Sequence, residues 1–167
     1  MKLLSSVAIH LLLVALLGVG IIMMVHGKPA LLIAGVLCYG ILFGKVGCAV
    51  CHVPTLSTAP AGTTINGGKF TVPPALGNKT FHPFGDFLLH DVGTGDGIEQ
   101  EPAGAAEIRT PALWGLRLRR PLLHDGSAAT PAEAIERHGG EAAGVVARFR
   151  ELAAADRQRL LDFLGSL

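Results

Sequence analysis

Five consecutive residues, Cys48-Ala49-Val50-Cys51-His52, constrain this chain of 167 residues more than any other feature. The C-x-x-C-H pattern is the one used for covalent haem attachment. Two thiols three positions apart can each add to a vinyl group of one haem, which puts the adjacent histidine under the iron as an axial ligand. Two other uses of paired cysteines lack their context here. A thioredoxin-like site needs a surrounding strand-helix-strand pattern, and a structural zinc site needs a second ligand pair, but the chain has no second C-x-x-C. The flanking residues fit haem: an apolar helix carrying Gly40, Phe43 and Gly47 leads into Cys48, and Pro54 follows the motif. The third cysteine, Cys38, stands alone and reads as a small buried hydrophobe. One haem c is therefore expected, attached through Cys48 and Cys51, with His52 as a ligand.

Composition agrees with a core built around a cofactor. Aromatic residues make up only 5% of the chain, thin for a core of this size, while half of the residues are hydrophobic and 16% are charged. A flat apolar macrocycle covered by leucine, valine, isoleucine and phenylalanine accounts for the shortage. The hydrophobicity excludes disorder as the main state. A formal net charge of +1 argues against nucleic acid as a partner.

The charges divide the chain. All 13 acidic residues lie at Asp86 or later, and residues 1–43 carry only Lys2 and Lys28. Leu3 to Val25 is an uncharged run of 23 residues. A membrane-spanning helix needs about 20 apolar residues, and a cleaved signal usually has only ~7–15. Residues 1–29 are therefore expected to form an N-terminal transmembrane or signal helix, with an uncleaved anchor favoured. Lys2 at the short end places the remainder on the periplasmic side of a bacterial inner membrane. Signal cleavage near Val25-His26-Gly27, which would release the protein to the periplasm, is the alternative. Residues 30–43 are apolar too, but 14 residues at ~1.5 Å each fall short of the ~30 Å hydrocarbon core.

Residues 30–167 are expected to form an all-α, cytochrome c-like haem domain with a long irregular loop. That loop covers residues 53–85, rich in glycine, proline, threonine and asparagine, with a turn at Thr63 to Gly68 joining two short extended runs. Helices dominate the C-terminal third. Thr130-Pro131-Ala132-Glu133 has the cap, the first-turn proline and the glutamate of a helix start, and Gly139-Gly140 ends that helix. Further helices are expected over 141–152 and 156–167, the latter turning Leu160, Phe163 or Leu164, and Leu167 to one face.

The sixth ligand of the iron separates electron transfer from peroxide chemistry. The only methionines are Met1, Met23 and Met24, outside the haem domain. His82, His90, His124 and His138 remain as candidates, as does an open position.

Several stretches resemble the C-terminal haem domain of the bacterial di-haem cytochrome c peroxidase superfamily, and within it the branch of di-haem (thiol) oxidoreductases. They are Phe43 to His52, His82-Pro83-Phe84-Gly85-Asp86 through Asp91, Arg109-Thr110-Pro111-Ala112-Leu113-Trp114-Gly115-Leu116, and Leu123-His124-Asp125-Gly126-Ser127 with Glu133 to Ala142. In that family the residue fourteen after the histidine of the His-Asp-Gly-type motif is the distal ligand, usually methionine. Here it is His138, so the resemblance implies a His52/His138 iron. It also implies a pocket role for His124 and a haem propionate contact for Arg109. Trp114 reads as core packing or an electron relay. The family's interdomain calcium uses backbone groups near the position of Pro121. Its other half is missing here, which puts calcium in question.

The peroxidases carry two C-x-x-C-H motifs and this chain carries one. The part that matches resembles the half that takes electrons from a donor. A mono-haem electron-transfer protein is the leading expectation, with another redox protein or a separate haem subunit as partner. A peroxidase-like enzyme acting on peroxide, a protein or a thiol is the alternative, so enzymatic activity stays open at this point.

Overall fold

Between the motif and Thr130 the chain is too rich in glycine and proline to sustain helices, so its backbone polar groups must pair in another way. A computed structural model, which describes residues 40–167, shows how they do so. Residues 40–46 are helical, and Cys48–Val50 follows as a single 3-10 turn. Gly47 joins the two with a φ of +101°, in the left-handed region that glycine adopts without strain. Six two-residue strands come next: β1 (Leu56–Ser57), β2 (Thr64–Ile65), β3 (Phe70–Thr71), β4 (Thr80–Phe81), β5 (Leu89–His90) and β6 (Ile108–Arg109).

The strands form three separate antiparallel ladders, β1 with β4, β2 with β3, and β5 with β6. Leu56 pairs with Phe81, Ile65 with Phe70, and His90 with Ile108. The expected turn at Thr63 to Gly68 does join extended runs, closed by Lys69 N–H on the Asn66 carbonyl at 3.2 Å. The all-α expectation is corrected: the described domain is mixed. Short runs of threonine, phenylalanine, isoleucine and leucine favour extended backbone, and ladders satisfy donors that no helix could use.

The anchor or signal segment expected over 1–29 lies outside the described residues, as does Cys38. Among the described residues no helix is long and apolar enough to cross a membrane.

Three helices close the chain. In α1 (Pro131–Arg137), Thr130 Oγ1 accepts from Glu133 N–H at 3.2 Å, and the Glu133 carboxylate accepts from Ala129 N–H at 2.7 Å. His138 caps its C-terminus with extended backbone. A 3-10 turn, Gly140–Ala142, leads into α2 (Ala143–Glu151), and α3 (Ala154–Leu164) follows. Leu160, Phe163 and Leu164 are buried along one face of α3, as the periodicity predicts.

The core joins both ends of the described chain. Phe43 and Val46, before the motif, are buried along with Val146, Phe149, Leu160 and Phe163 from α2 and α3. Phe43, Phe84 and Phe163 meet edge to face, with ring centroids 5.9, 5.5 and 5.8 Å apart. Such contacts add about 0.5–1.5 kcal/mol each beyond area burial. Phe163→Ala should therefore lower unfolding stability by about 3–5 kcal/mol, read as a drop in the urea midpoint at unchanged slope.

Candidate functional site

A 3-10 helix completes a turn in three residues, so positions i and i+3 eclipse. The turn over Cys48–Val50 therefore presents Cys48 and Cys51 on the same side. Both are free thiols and half-buried. Burial pushes the Cys48 thiol up to about 11, with Arg148 pulling weakly the other way. Burial also raises Cys51, helped by the negative charges of Asp86 and Glu141. Redox and metal-binding cysteines need the thiolate, so this surrounding is the opposite of a thioredoxin-like site.

The motif is held from both sides. Arg148 of α2 donates from Nε to the Val46 carbonyl at 2.7 Å. A Cβ on Gly47 would lie 2.6 Å from the same guanidinium, which would have to swing aside, while the positive φ is what calls for glycine there. On the other side, Asp86 N–H donates to the Cys51 carbonyl at 2.8 Å and Gly85 N–H to the Val53 carbonyl at 3.1 Å.

His52 Nδ1 donates to the Phe84 carbonyl at 3.1 Å. A carbonyl oxygen only accepts, so Nδ1 carries the proton and Nε2 keeps its lone pair. Burial is the main cause of the lowered pKa of His52, and the charges of His138 and His90 act in the same direction. The neutral ring is therefore favoured, which is the form that binds a metal. His138 repeats the arrangement: its Nδ1 donates to the Ala134 carbonyl at 2.6 Å. Among the described residues, Nε2 of neither ring makes a hydrogen bond.

The other histidines differ. His90 has both nitrogens occupied, Nε2 by Asp86 Oδ2 at 2.9 Å and Nδ1 by Glu141 Oε2 at 3.0 Å. These bonds, the one to Glu141 foremost, raise its pKa. Burial alone would push Asp86 up, but bonds from Leu88 N–H, His90 and Thr110 outweigh it and hold the carboxyl below its usual range. Asp86, His90 and Cys51 bring their ligand atoms within 4.8 Å of one another. The two carboxylates already occupy both ring nitrogens. His124 Nε2 pairs with Asp96 at 2.9 Å on the exposed surface. His82 Nδ1 is bonded to Thr55 Oγ1 at 2.9 Å.

Cys48, Cys51 and His52 stand together around one turn, and a charge on His138 would act on His52. Arg109 is exposed on β6, opposite Leu89. Trp114 is not core: it is 57% exposed, donates Nε1–H to the His82 carbonyl and lies 6.2 Å from the Phe81 ring. Among the described residues neither Arg109, Trp114 nor His124 is hydrogen-bonded or ion-paired to the cysteines, His52 or His138. Sequence reasoning missed the Asp86–His90–Glu141 chain, because Glu141 lies 51 residues from His90 and no local pattern links them.

No curated protein and no solved structure gives a significant match to the chain. A family model described as "Di-haem oxidoreductase, putative peroxidase" matches residues 29–167. That stretch contains the cysteine pair, the paired-tautomer histidines and every element described above, and the chain belongs to the di-haem oxidoreductase family.

Proposed function

We propose that this chain carries one haem c on Cys48 and Cys51, with His52 and His138 as axial ligands, and that it transfers single electrons. The observation that carries the reading is the matched pair of histidines, each with Nδ1–H fixed on a backbone carbonyl and Nε2 without a hydrogen bond among the described residues. A ligating histidine almost always donates its other nitrogen in this way, which sets the tautomer and the ring orientation. The thiols fit as well: they share one face of a turn, so both can reach the vinyl groups of one macrocycle.

A haem bound this way supplies a one-electron couple at its iron. The protein's own part is to keep both imidazoles oriented, each with Nδ1–H on a backbone carbonyl. The Phe84 carbonyl fixes one ring and the Ala134 carbonyl the other, so a change of oxidation state needs little movement of either. Two imidazoles give a lower potential than the histidine–methionine pair, since methionine raises it.

The partner on this reading is another redox protein or a separate haem subunit. Covalent haem attachment in bacteria takes place outside the cytoplasmic membrane, which favours the periplasm. The family description favours a second reading, peroxide reduction. That reading needs an open sixth position and an acid–base group at ~3 Å from the bound peroxide.

One spectrum separates the two. The ferric protein should be six-coordinate and low-spin, and His138→Ala should convert it toward high-spin; a high-spin wild type with rapid peroxide turnover would establish the enzyme instead. Replacing Cys48 and Cys51 together by serine should abolish the haem stain that survives denaturing electrophoresis.

A further inference from the structure

His138 stands where helix periodicity no longer controls the chain. α1 ends at Arg137, and His138 itself is extended, with φ −66° and ψ 135°. Its ring is held by the Ala134 carbonyl and by whatever fixes the residues that follow it. Those residues are stapled to the end of β5. Gly139 N–H donates to the Val92 carbonyl at 2.6 Å, and Glu141 N–H to the Asp91 carbonyl at 2.8 Å. The approach is so close that a Cβ on Gly140, at φ +48°, would collide with the Asp91 carbonyl oxygen.

The Glu141 carboxylate completes the staple. Oε1 accepts from Asp91 N–H at 3.0 Å and Oε2 from His90 Nδ1 at 3.0 Å. His90 Nε2 passes the connection to Asp86 at 2.9 Å, and Asp86 N–H reaches the Cys51 carbonyl at 2.8 Å. The same segment offers the Phe84 carbonyl to His52. One continuous path therefore runs from the cysteine motif to the residues after His138. The His90–Asp86 step is well shielded, with side chains 17% and 12% exposed, so it is worth more than an ordinary surface pair.

We infer that Glu141, His90 and Asp86 form a brace that positions His138 relative to His52, with Glu141 as the positioning residue. The inference rests on the axial pair proposed above. The brace sets how readily His138 would leave the iron, and so how readily the site opens to outside ligands.

The test uses the ferric holoprotein with cyanide as the probe, because cyanide must displace the distal ligand to bind. Glu141→Ala removes both carboxylate bonds. It should speed cyanide capture about tenfold, because both side-chain bonds of the staple are lost. Glu141→Gln keeps an acceptor for Asp91 N–H and should recover part of the slow rate. His90→Ala should add little in the Glu141→Ala background, as members of one path are non-additive. A Glu141→Ala protein that melts lower but captures cyanide at the wild-type rate overturns the brace and leaves the axial pair standing. If His138→Ala leaves the ferric spectrum unchanged, the axial pair falls, and the brace with it. Should Glu141→Ala yield no holoprotein, Glu141→Gln decides alone: a faster rate supports the brace and a wild-type rate overturns it.

Discussion

The hydrogen bond from His52 Nδ1 to the Phe84 carbonyl is the contact on which the rest of the site depends. It joins the motif to a segment 32 residues away and fixes the tautomer of the ring. Phe84 can offer that carbonyl because its backbone is left-handed, at φ +52°. A phenylalanine rarely adopts that conformation, and the surrounding structure must hold it there. Buried Pro83 and Gly85 flank it, a Cβ on Gly85 would lie 2.9 Å from the Pro111 oxygen, and its own ring packs against Phe43 and Phe163. The aromatic cluster and the histidine orientation are therefore one feature. The rings place the backbone that places His52.

This coupling also bears on how a chain with so few aromatic residues builds a core. Three of its phenylalanines are concentrated at one point between the lead-in helix, the 82–86 segment and α3. Elsewhere, apolar side chains face outward, among them Val50 inside the motif at 76% exposed. A dispersed aromatic core would leave the segment that holds the His52 ring without a rigid backing. The cluster spends its packing where orientation matters.

What was legible in the sequence was local. The capping box at Thr130 and the buried face of α3 follow from spacings of three and four residues, and the C-x-x-C-H turn follows from five adjacent letters. Pairings across long separations were not legible. β1 joins β4 and β5 joins β6 through two residues each, too short for periodicity to register, and this is why an all-α domain was the natural reading. The His90–Glu141 contact has the same origin. Trp114 shows a different limit: composition makes a lone tryptophan look like core, while its indole N–H here reaches an exposed backbone carbonyl. Chance letter matches such as Leu-Leu-His-Asp gave no guide either. His90 is shielded and doubly bonded, whereas His124 sits on the surface with one partner.

The family description names two haems, and this sequence has one C-x-x-C-H motif. Reducing peroxide to water takes two electrons and two protons. A peroxidase reading of this chain therefore needs an open position beside the haem and a group that moves those protons. An electron-transfer reading needs only a donor and an acceptor that meet it in turn. The same asymmetry appears in the residues. His90, Asp86 and Glu141 have their ring nitrogens and carboxylates bonded to one another. They are arranged to hold backbone in place, with Glu141 on Asp91 N–H and Asp86 N–H on the Cys51 carbonyl.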